Sequence, residues 1–580
     1  MNEGGGNESR RPQPVAVAGC LGWLHLPPRG RATGRGVVIC APWGYEALAA
    51  RRGLYELAQR CAAAGLTALR FDAPGAGDSP GEDGPGSLAA MRASILDAAS
   101  WLGEQAGVAE VALCGVRVGA LLAASAAASC PGRFATIALL TPVWSGQAFR
   151  RQVLLAARTT GTEAGDWLET RGERLHHEEL AAIAQENLAA SLRAARPRRV
   201  LLLERSAPAR DLPGCGEVTS RRFEGADGLL SPPHAATLPI AELTDVAAWL
   251  ANGAPAATRE AELLAAPVLE VGDGAVERPL RFGEGGALTG ILCEPAEGPR
   301  RRLAALILNT GAEPRAGVGR FGVRLARRLA RIGVTSLRMD STGVGDSDHV
   351  PGVTDPAAPP DVYRDALIEE ARAGLDQLAS GEATRCIVVG ICAGAHVALQ
   401  LALRDARASG IALVNLPAFD RSAGGAPSLD GGPPPGEIKL LRRPRMLVRR
   451  LLAETDRVAA ERLGLEIGLD RPGRWMRALS ARGTRVLLAY SDRDRGLREL
   501  RAHFGRRGRR LAGTPQLRRV VLDGTDHSIA PRAMQAQVLD LIEQEALLLD
   551  GMAVNPVRAA VAAARDVLDA PLPGASMRAG

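Results

Sequence analysis

The chain has 580 residues, of which 46% are hydrophobic, 23% charged and only 3% aromatic, and it carries a formal net charge of +7. That length exceeds one ordinary core, so two or more domains are expected, and the composition is that of a soluble globular chain. The positive charge is spread over Arg-rich helical stretches with no recognition helix, and no run of about 18 apolar residues occurs, so neither nucleic acid nor a membrane span is expected.

Residues 1–14 (MNEGGGNESRRPQP) lack an apolar stretch and read as a disordered tail rather than a leader. From 15 to 252, short apolar runs alternate with helical patterns. The runs are Val37–Ala41, Thr67–Phe71, Val108–Cys114, Thr136–Leu140, Arg199–Leu203 and Arg221–Phe223, with an inserted cap over about 143–197. Residues 253–268, rich in Ala, Pro and Glu, form a linker. The pattern returns over 269–550 as Ala304–Leu308, Thr335–Met339, Cys386–Val389, Ile411–Asn415, Val486–Tyr490 and Arg518–Leu522, with a longer cap over about 416–482. Residues 551–580 form a tail with one amphipathic helix. Apolar strands alternating with helices predict an α/β fold, each half a mostly parallel sheet covered by helices.

The two halves are one pattern written twice. Glu56 to Ser79 (ELAQRCAAAGLTALRFDAPGAGDS) recurs as Arg324 to Ser347 (RLARRLARIGVTSLRMDSTGVGDS), 268 residues further on. Each copy reads helix, glycine stop, buried strand, then a glycine-rich loop opened by Asp72 or Asp340.

The segment Gly390-Ile391-Cys392-Ala393-Gly394 follows the run Cys386-Ile387-Val388-Val389 and precedes a helical pattern. It reads as a nucleophile elbow, a strained strand-to-helix turn flanked by glycines where a Cβ would collide. The central residue is Cys392, placed at a helix N-terminus that favours a thiolate. His527, in Asp523-Gly-Thr-Asp-His-Ser528 after the last run, is the candidate base. Asp492 and Asp494, after Val486–Tyr490, are the candidate orienting acids. Cys392 also has a plain reading, since a free cysteine is commonly a small buried residue. His396, one turn beyond Cys392, reads as structural, and His349 as a solvated loop residue.

These motifs resemble those of the α/β-hydrolases, over essentially the whole chain outside the tails, and imply two tandem α/β-hydrolase domains. The second half resembles bacterial hydrolases with a Gly-Leu-Cys-Ser-Gly-Ala elbow. The first half is similar to hydrolase-like proteins of exosortase and exopolysaccharide systems, which carry Gly-Leu-Arg-x-Gly. The resemblance implies a Cys392–His527–Asp494 triad, its Gly-x-x-Asp spacing selecting Asp494 over Asp492. It also implies an oxyanion hole from the N–H of Ala393 and a second N–H in Asn309-Thr-Gly-Ala-Glu313, by position Ala312. The usual His-Gly is missing from that turn. Cysteine elbows occur in dienelactone hydrolases and in polyhydroxyalkanoate synthases, so hydrolysis of an ester or thioester and acyl transfer both stay open, as does a non-catalytic binding protein.

The first half has Gly115-Val116-Arg117-Val118-Gly119 at its elbow. Arg117 stays protonated and cannot attack a carbonyl. His234 stands at the histidine position and Asp211 is a weak candidate acid. Either Arg117 docks an anion or this half is an inactive partner that stabilises the other. Cys114 reads as a buried sheet residue.

The nine cysteines form no CxxC pairs, which predicts reduced thiols and a cytoplasmic protein. The eight histidines lack ligand spacing, so no metal or cofactor is expected. Arg442-Arg-Pro-Arg445 and Arg449-Arg450, in the second cap, suggest steering of an anionic acyl group or a solvated basic helix face. Residues 422–436 of that cap are Gly/Pro-rich and expected to be mobile.

Overall fold

The computed structural model describes residues 10–81, 87–160, 163–206, 211–259, 261–262, 264–272, 274–298, 300–350, 352, 354–381, 383–420, 471–505, 511, 514–523 and 527–552. Most of the second cap, including its basic cluster, and most of the C-terminal tail lie outside these residues.

Two sheets are built in the same order. The first has eight strands, from one edge Gln13–Val17, Cys20–His25, Thr67–Phe71, Arg35–Cys40, Glu110–Val116, Thr136–Leu140, Arg199–Glu204 and Glu217–Arg222. The second has nine: Leu269–Glu270, Ala275–Phe282, Leu288–Pro295, Thr335–Asp340, Leu303–Ile307, Arg385–Ile391, Ala408–Val414, Arg485–Ser491 and Leu517–Leu522. From the Thr67–Phe71 and Thr335–Asp340 strands onward, each sheet is parallel. Both faces are covered by helices, as continuous apolar strands require. This is the α/β class expected from the sequence.

The antiparallel strands that open each sheet were not legible in the pattern. Cys20–His25 is buried at every position and so shows no alternation. Ala275–Phe282 contains Pro279, which argues against a central strand. It is tolerated because the edge strand covers only Val276 and Glu277. Two boundaries also move. The first strand begins at Gln13, inside the expected tail, and Arg11 pairs with Asp348 of the second half at 3.2 Å. The expected linker is anchored to the first half, where Gly34 N–H donates to the Pro255 carbonyl at 2.7 Å.

The first cap contains the helix Gly146–Thr160, a three-stranded sheet (Glu163–Ala164, Trp167–Thr170, Glu173–His176) and the helices His177–Ile183 and Leu188–Ala195. Its small sheet reaches the second half. Arg532 N–H donates to the Glu169 carboxylate at 2.7 Å, and the Arg532 guanidinium to the Gly172 carbonyl.

Between the halves, each Gly-Asp-Ser loop is held by arginines of the other. Arg320 donates to the carbonyls of Gly77 at 3.0 Å and Ser79 at 2.6 Å. Arg52, 268 residues earlier, donates to those of Gly345 at 3.3 Å and Ser347 at 2.6 Å. Two equivalent surfaces thus face each other as in a two-fold dimer, but within one chain.

Candidate active site

The strand Arg385–Ile391 passes directly into the helix Ala393–Arg404, with Cys392 between them at φ 53° and ψ −121°. A non-glycine residue at positive φ is strained, and it persists only where the surroundings enforce it. Here they do. A Cβ on Gly390 would lie 2.2 Å from the Gly394 carbonyl oxygen, and one on Gly394 would lie 2.3 Å from that of Asn309. Cys392 N–H donates to the Val414 carbonyl at 2.9 Å, which ties the elbow to the next strand.

The structure brings Cys392, His527 and Asp494 together. His527 follows the last strand, and its Nδ1 lies 2.5 Å from Asp494 Oδ2. Cys392 lies near enough to the same ring to act on its titration. Burial pulls the imidazole pKa down, but Asp494 and Cys392 outweigh it and push the value up to about 10. Asp494 has no exposed side-chain surface, whereas the His527 ring keeps 40%, so the ring is open to a reactant from one side. Gly496 N–H donates to Asp494 Oδ1 at 2.7 Å and fixes the carboxylate plane.

Asp492 is placed differently. Its N–H bonds the Leu522 carbonyl, and its buried Oδ1 has no hydrogen-bond partner among the described residues.

Asn415, which sequence reasoning missed, ties the His527 backbone to the strand before Asp494. Its Nδ2 donates to Ser491 Oγ at 2.9 Å and to the His527 carbonyl at 2.8 Å, and its Oδ1 accepts from Ser491 N–H at 2.8 Å. It is buried at φ 50°. The available signal was an asparagine, a residue tolerant of that conformation, at the end of the strand after the elbow.

Ala393 and Gly311 line one small cleft, together with Leu308, Asn309 and Val362. Ala312 lines the neighbouring groove between the halves, beside Leu48, Arg52 and His349. Asn309 braces the turn, its Nδ2 donating to Asp340 Oδ1 at 3.1 Å and to the Glu313 carbonyl at 2.9 Å. Asp340 accepts in turn from Arg315, from its N–H at 2.6 Å and its Nη1 at 2.5 Å.

The other histidines have structural partners. His396 Nδ1 meets the Ala418 carbonyl at 3.2 Å, and the ring packs edge-on to Tyr363. His349 is not a solvated loop residue: its Nε2 meets Glu56 of the first half at 2.9 Å.

In the first half the elbow is intact and its central side chain is occupied. Arg117 sits at φ 55° and ψ −123°, close to Cys392. Its Nε donates to Glu46 at 3.0 Å and its Nη2 to Gln152 at 2.9 Å. His234 stands in a turn closed by Ala235 N–H donating to the Pro232 carbonyl at 2.8 Å. Asp211 is exposed in the segment after Arg199–Glu204. Burial pushes the Cys114 thiol up to about 12, so it is inert at neutral pH.

Among the described residues, no group of three or more His, Cys, Asp or Glu side chains is placed to hold a metal ion. Among the same residues, no helix is long and apolar enough to cross a membrane.

No protein-family model matches the chain. No curated protein matches it. Solved structures do. Est1E of Butyrivibrio proteoclasticus with ferulic acid bound is 15% identical, with a TM-score of 0.33, over 41% of this chain and 96% of that one. A putative dienelactone hydrolase from Klebsiella pneumoniae subsp. pneumoniae is 15% identical, with a TM-score of 0.30, over 48% of this chain and 99% of that one. A zinc-bound cold-adapted esterase from an Arctic intertidal metagenomic library is 18% identical, with a TM-score of 0.27, over 47% and 96%.

Proposed function

We propose that the second half is an ester or thioester hydrolase working through Cys392, His527 and Asp494. The observation that carries this reading is the 2.5 Å contact of the His527 ring with the buried Asp494 carboxylate, together with Cys392 at the elbow acting on the same ring. An arrangement of nucleophile, base and orienting acid at a glycine-flanked elbow is the geometry that acyl transfer needs.

In the proposed cycle the Cys392 thiolate adds to the acyl carbonyl, and the oxygen takes up negative charge near the N–H of Ala393 and an N–H of the 309–313 turn. In that turn Ala312 is the donor expected by position, and Gly311 shares a cleft with Ala393. The tetrahedral intermediate collapses as the C–O or C–S bond to the leaving group breaks. The His527 imidazolium gives that group its proton, leaving an acyl thioester on Cys392. The neutral imidazole then takes a proton from water, whose oxygen adds to the thioester carbonyl. The C–S bond breaks, the acid leaves, and the thiolate–imidazolium pair is restored. Asp494 holds the imidazole in the required tautomer throughout. The first half takes no part in this chemistry, because Arg117 replaces the nucleophile and is engaged by Glu46.

The test is intact-protein mass after exposure to p-nitrophenyl esters and acyl-CoA thioesters, with Cys392→Ala and His527→Ala in parallel. An acyl adduct on Cys392 that forms fast, decays with release of free acid and needs His527 supports hydrolysis. An adduct that decays only when an alcohol or amine is added makes the protein an acyltransferase. Labelling no faster at Cys392 than at the other cysteines overturns the catalytic reading.

A further inference from the structure

The first half has no nucleophile, yet it keeps a cavity of about 110 Å³ at the C-terminal ends of its strands. This is far more than the ~10–15 Å³ that one water needs. Its apolar wall comes from Trp43, Phe71, Met91, Ile95 and Leu122. One side is closed by Pro314, Ala316 and Gly317 of the second half. Arg117 is not part of the wall.

Two buried donors in the lining are unused. Trp23 and Arg70 are cross-strand neighbours, 1% and 6% exposed. Neither Trp23 Nε1 nor Arg70 Nη2 has a hydrogen-bond partner among the described residues. The other guanidinium nitrogens of Arg70 are taken, Nε by His25 at 3.1 Å and Nη1 by Asp346 at 2.9 Å. A buried donor left without an acceptor is costly, and more so when it is charged. Burial, and then the neighbouring charge of Arg51, depress the Arg70 pKa against the pull of Asp346.

The lining holds four arginines, Arg51, Arg70, Arg174 and Arg320, and two carboxylates, Asp72 and Glu173, while Asp346, outside the lining, pairs with Arg51 and Arg70 and Glu169 with Arg174. An apolar chamber lined by two residues with unpaired buried donors, one of them a guanidinium, suits a small molecule with an apolar body and one anionic head.

We propose that this cavity is a non-catalytic binding site for an apolar monocarboxylate. The carboxylate accepts from Arg70 Nη2 and Trp23 Nε1, and the hydrocarbon lies among Trp43, Phe71 and Met91. The site is independent of the hydrolase reading, since no group of the triad lines it.

The experiment is calorimetric titration of the full chain carrying Cys392→Ala, which removes catalysis, with octanoate and with 1-octanol as the neutral probe. One-to-one binding of octanoate, at least tenfold tighter than 1-octanol, is the expected result. Trp23→Phe, which keeps the ring and removes the donor, weakens octanoate about tenfold. Met91→Trp and Leu48→Trp, which fill the chamber from different walls, each abolish binding while thermal unfolding stays cooperative. Should one of these two fail to fold, the other decides. Absence of saturable binding, equal affinity for 1-octanol, or undiminished binding in a filled variant that unfolds cooperatively overturns the proposal. Absence of esterase activity in the unsubstituted chain, with octanoate binding intact, would count against the proposed function alone.

Discussion

Arg70 Nη1 donates to Asp346 Oδ1 at 2.9 Å across the boundary between the halves, and Arg338 Nε meets Asp78 Oδ1 at the same distance. Arg51 and Arg315 complete the set, each pairing with the loop aspartate of its own half and with the Gly-Asp-Ser aspartate of the other. Breaking a buried ion pair from one side typically costs about 3–5 kcal/mol, because the partner charge is left uncompensated. Asp346→Asn, which leaves Arg51, Arg70 and Arg315 facing a neutral amide, is therefore expected to cost about that much. Urea unfolding measures it. A loss below about 1 kcal/mol, the scale of an exposed ion pair, would mean that these charges do not join the halves.

The same cluster sets the response to acid. Burial raises the Asp346 pKa, but Arg51, Arg70 and Arg315 hold it well below the usual carboxylate range. A depressed carboxylate contributes stability that is present above its unfolded value of about 3.9 and is lost as pH falls through the folded value. Asp340 acts in the opposite sense. Burial raises its pKa, the like charge of Asp346 adds to this, and Arg315 opposes it. Since Asp78 is depressed as well, by Arg315, Arg338 and Arg51 against burial, the net expectation is steep acid unfolding below about pH 4. Asp346→Asn is expected to flatten that limb in a circular-dichroism titration.

His527 keeps its proton to about pH 10. If its imidazolium protonates the leaving group, turnover of ethyl butyrate, whose alkoxide cannot leave unprotonated, should hold between pH 7 and pH 9 and fall as the pH passes about 10. Asp494→Asn removes the first of the causes that raise this pKa and leaves burial, which lowers it. The alkaline limb of the variant should therefore move to lower pH. A limb that stays in place would dissociate the observed titration from His527.

The legible part of this chain was the part governed by backbone sterics and burial. The glycines of both elbows and the 268-residue repeat exposed the shared sheet order and the position of Cys392. His527 and the pair Asp492 and Asp494 stand just after the last two strands, and only the resemblance's Gly-x-x-Asp spacing chose Asp494 over Asp492. What stayed hidden depends on packing between segments distant in sequence. Nothing local marks Asn415 as the residue that binds the His527 carbonyl, or Arg52 and Arg320 as caps for each other's loops. The choice between Gly311 and Ala312 rests on which way a short turn faces, and no composition rule reports that.

Strain at the elbow gives a prediction about stability alone. Cys392 occupies φ 53° and ψ −121°, a combination that glycine adopts freely and that costs other residues about 1–3 kcal/mol. Both Cys392→Gly and Cys392→Ala remove the thiol. The glycine variant should nevertheless be the more stable by about 1 kcal/mol, the relief of strain exceeding the greater entropy of its unfolded chain. Thermal unfolding of the inactive pair measures the difference. An alanine variant equal to or more stable than the glycine variant would mean that the elbow is not strained in the protein.

Asn415 tests whether the position of His527, rather than its presence, limits catalysis. Asn415→Ala removes the donor at 2.8 Å from the His527 carbonyl and both bonds to Ser491, leaving buried polar groups unpaired. A buried group left unpaired costs about 1–3 kcal/mol, and about 1.4 kcal/mol of lost transition-state alignment is tenfold in rate. We expect kcat to fall about tenfold or more with KM little changed, because Asn415 does not line the cleft beside Ala393. The bond between His527 Nδ1 and Asp494 should loosen as the loop shifts, so the alkaline limb of the rate profile should also move down. Asn415→Asp keeps an acceptor for Ser491 N–H but offers no donor to the His527 carbonyl, and it should recover stability without recovering kcat. A variant that regains both would make Asn415 a brace for Ser491 alone, and His527 would then be held in place by Asp494.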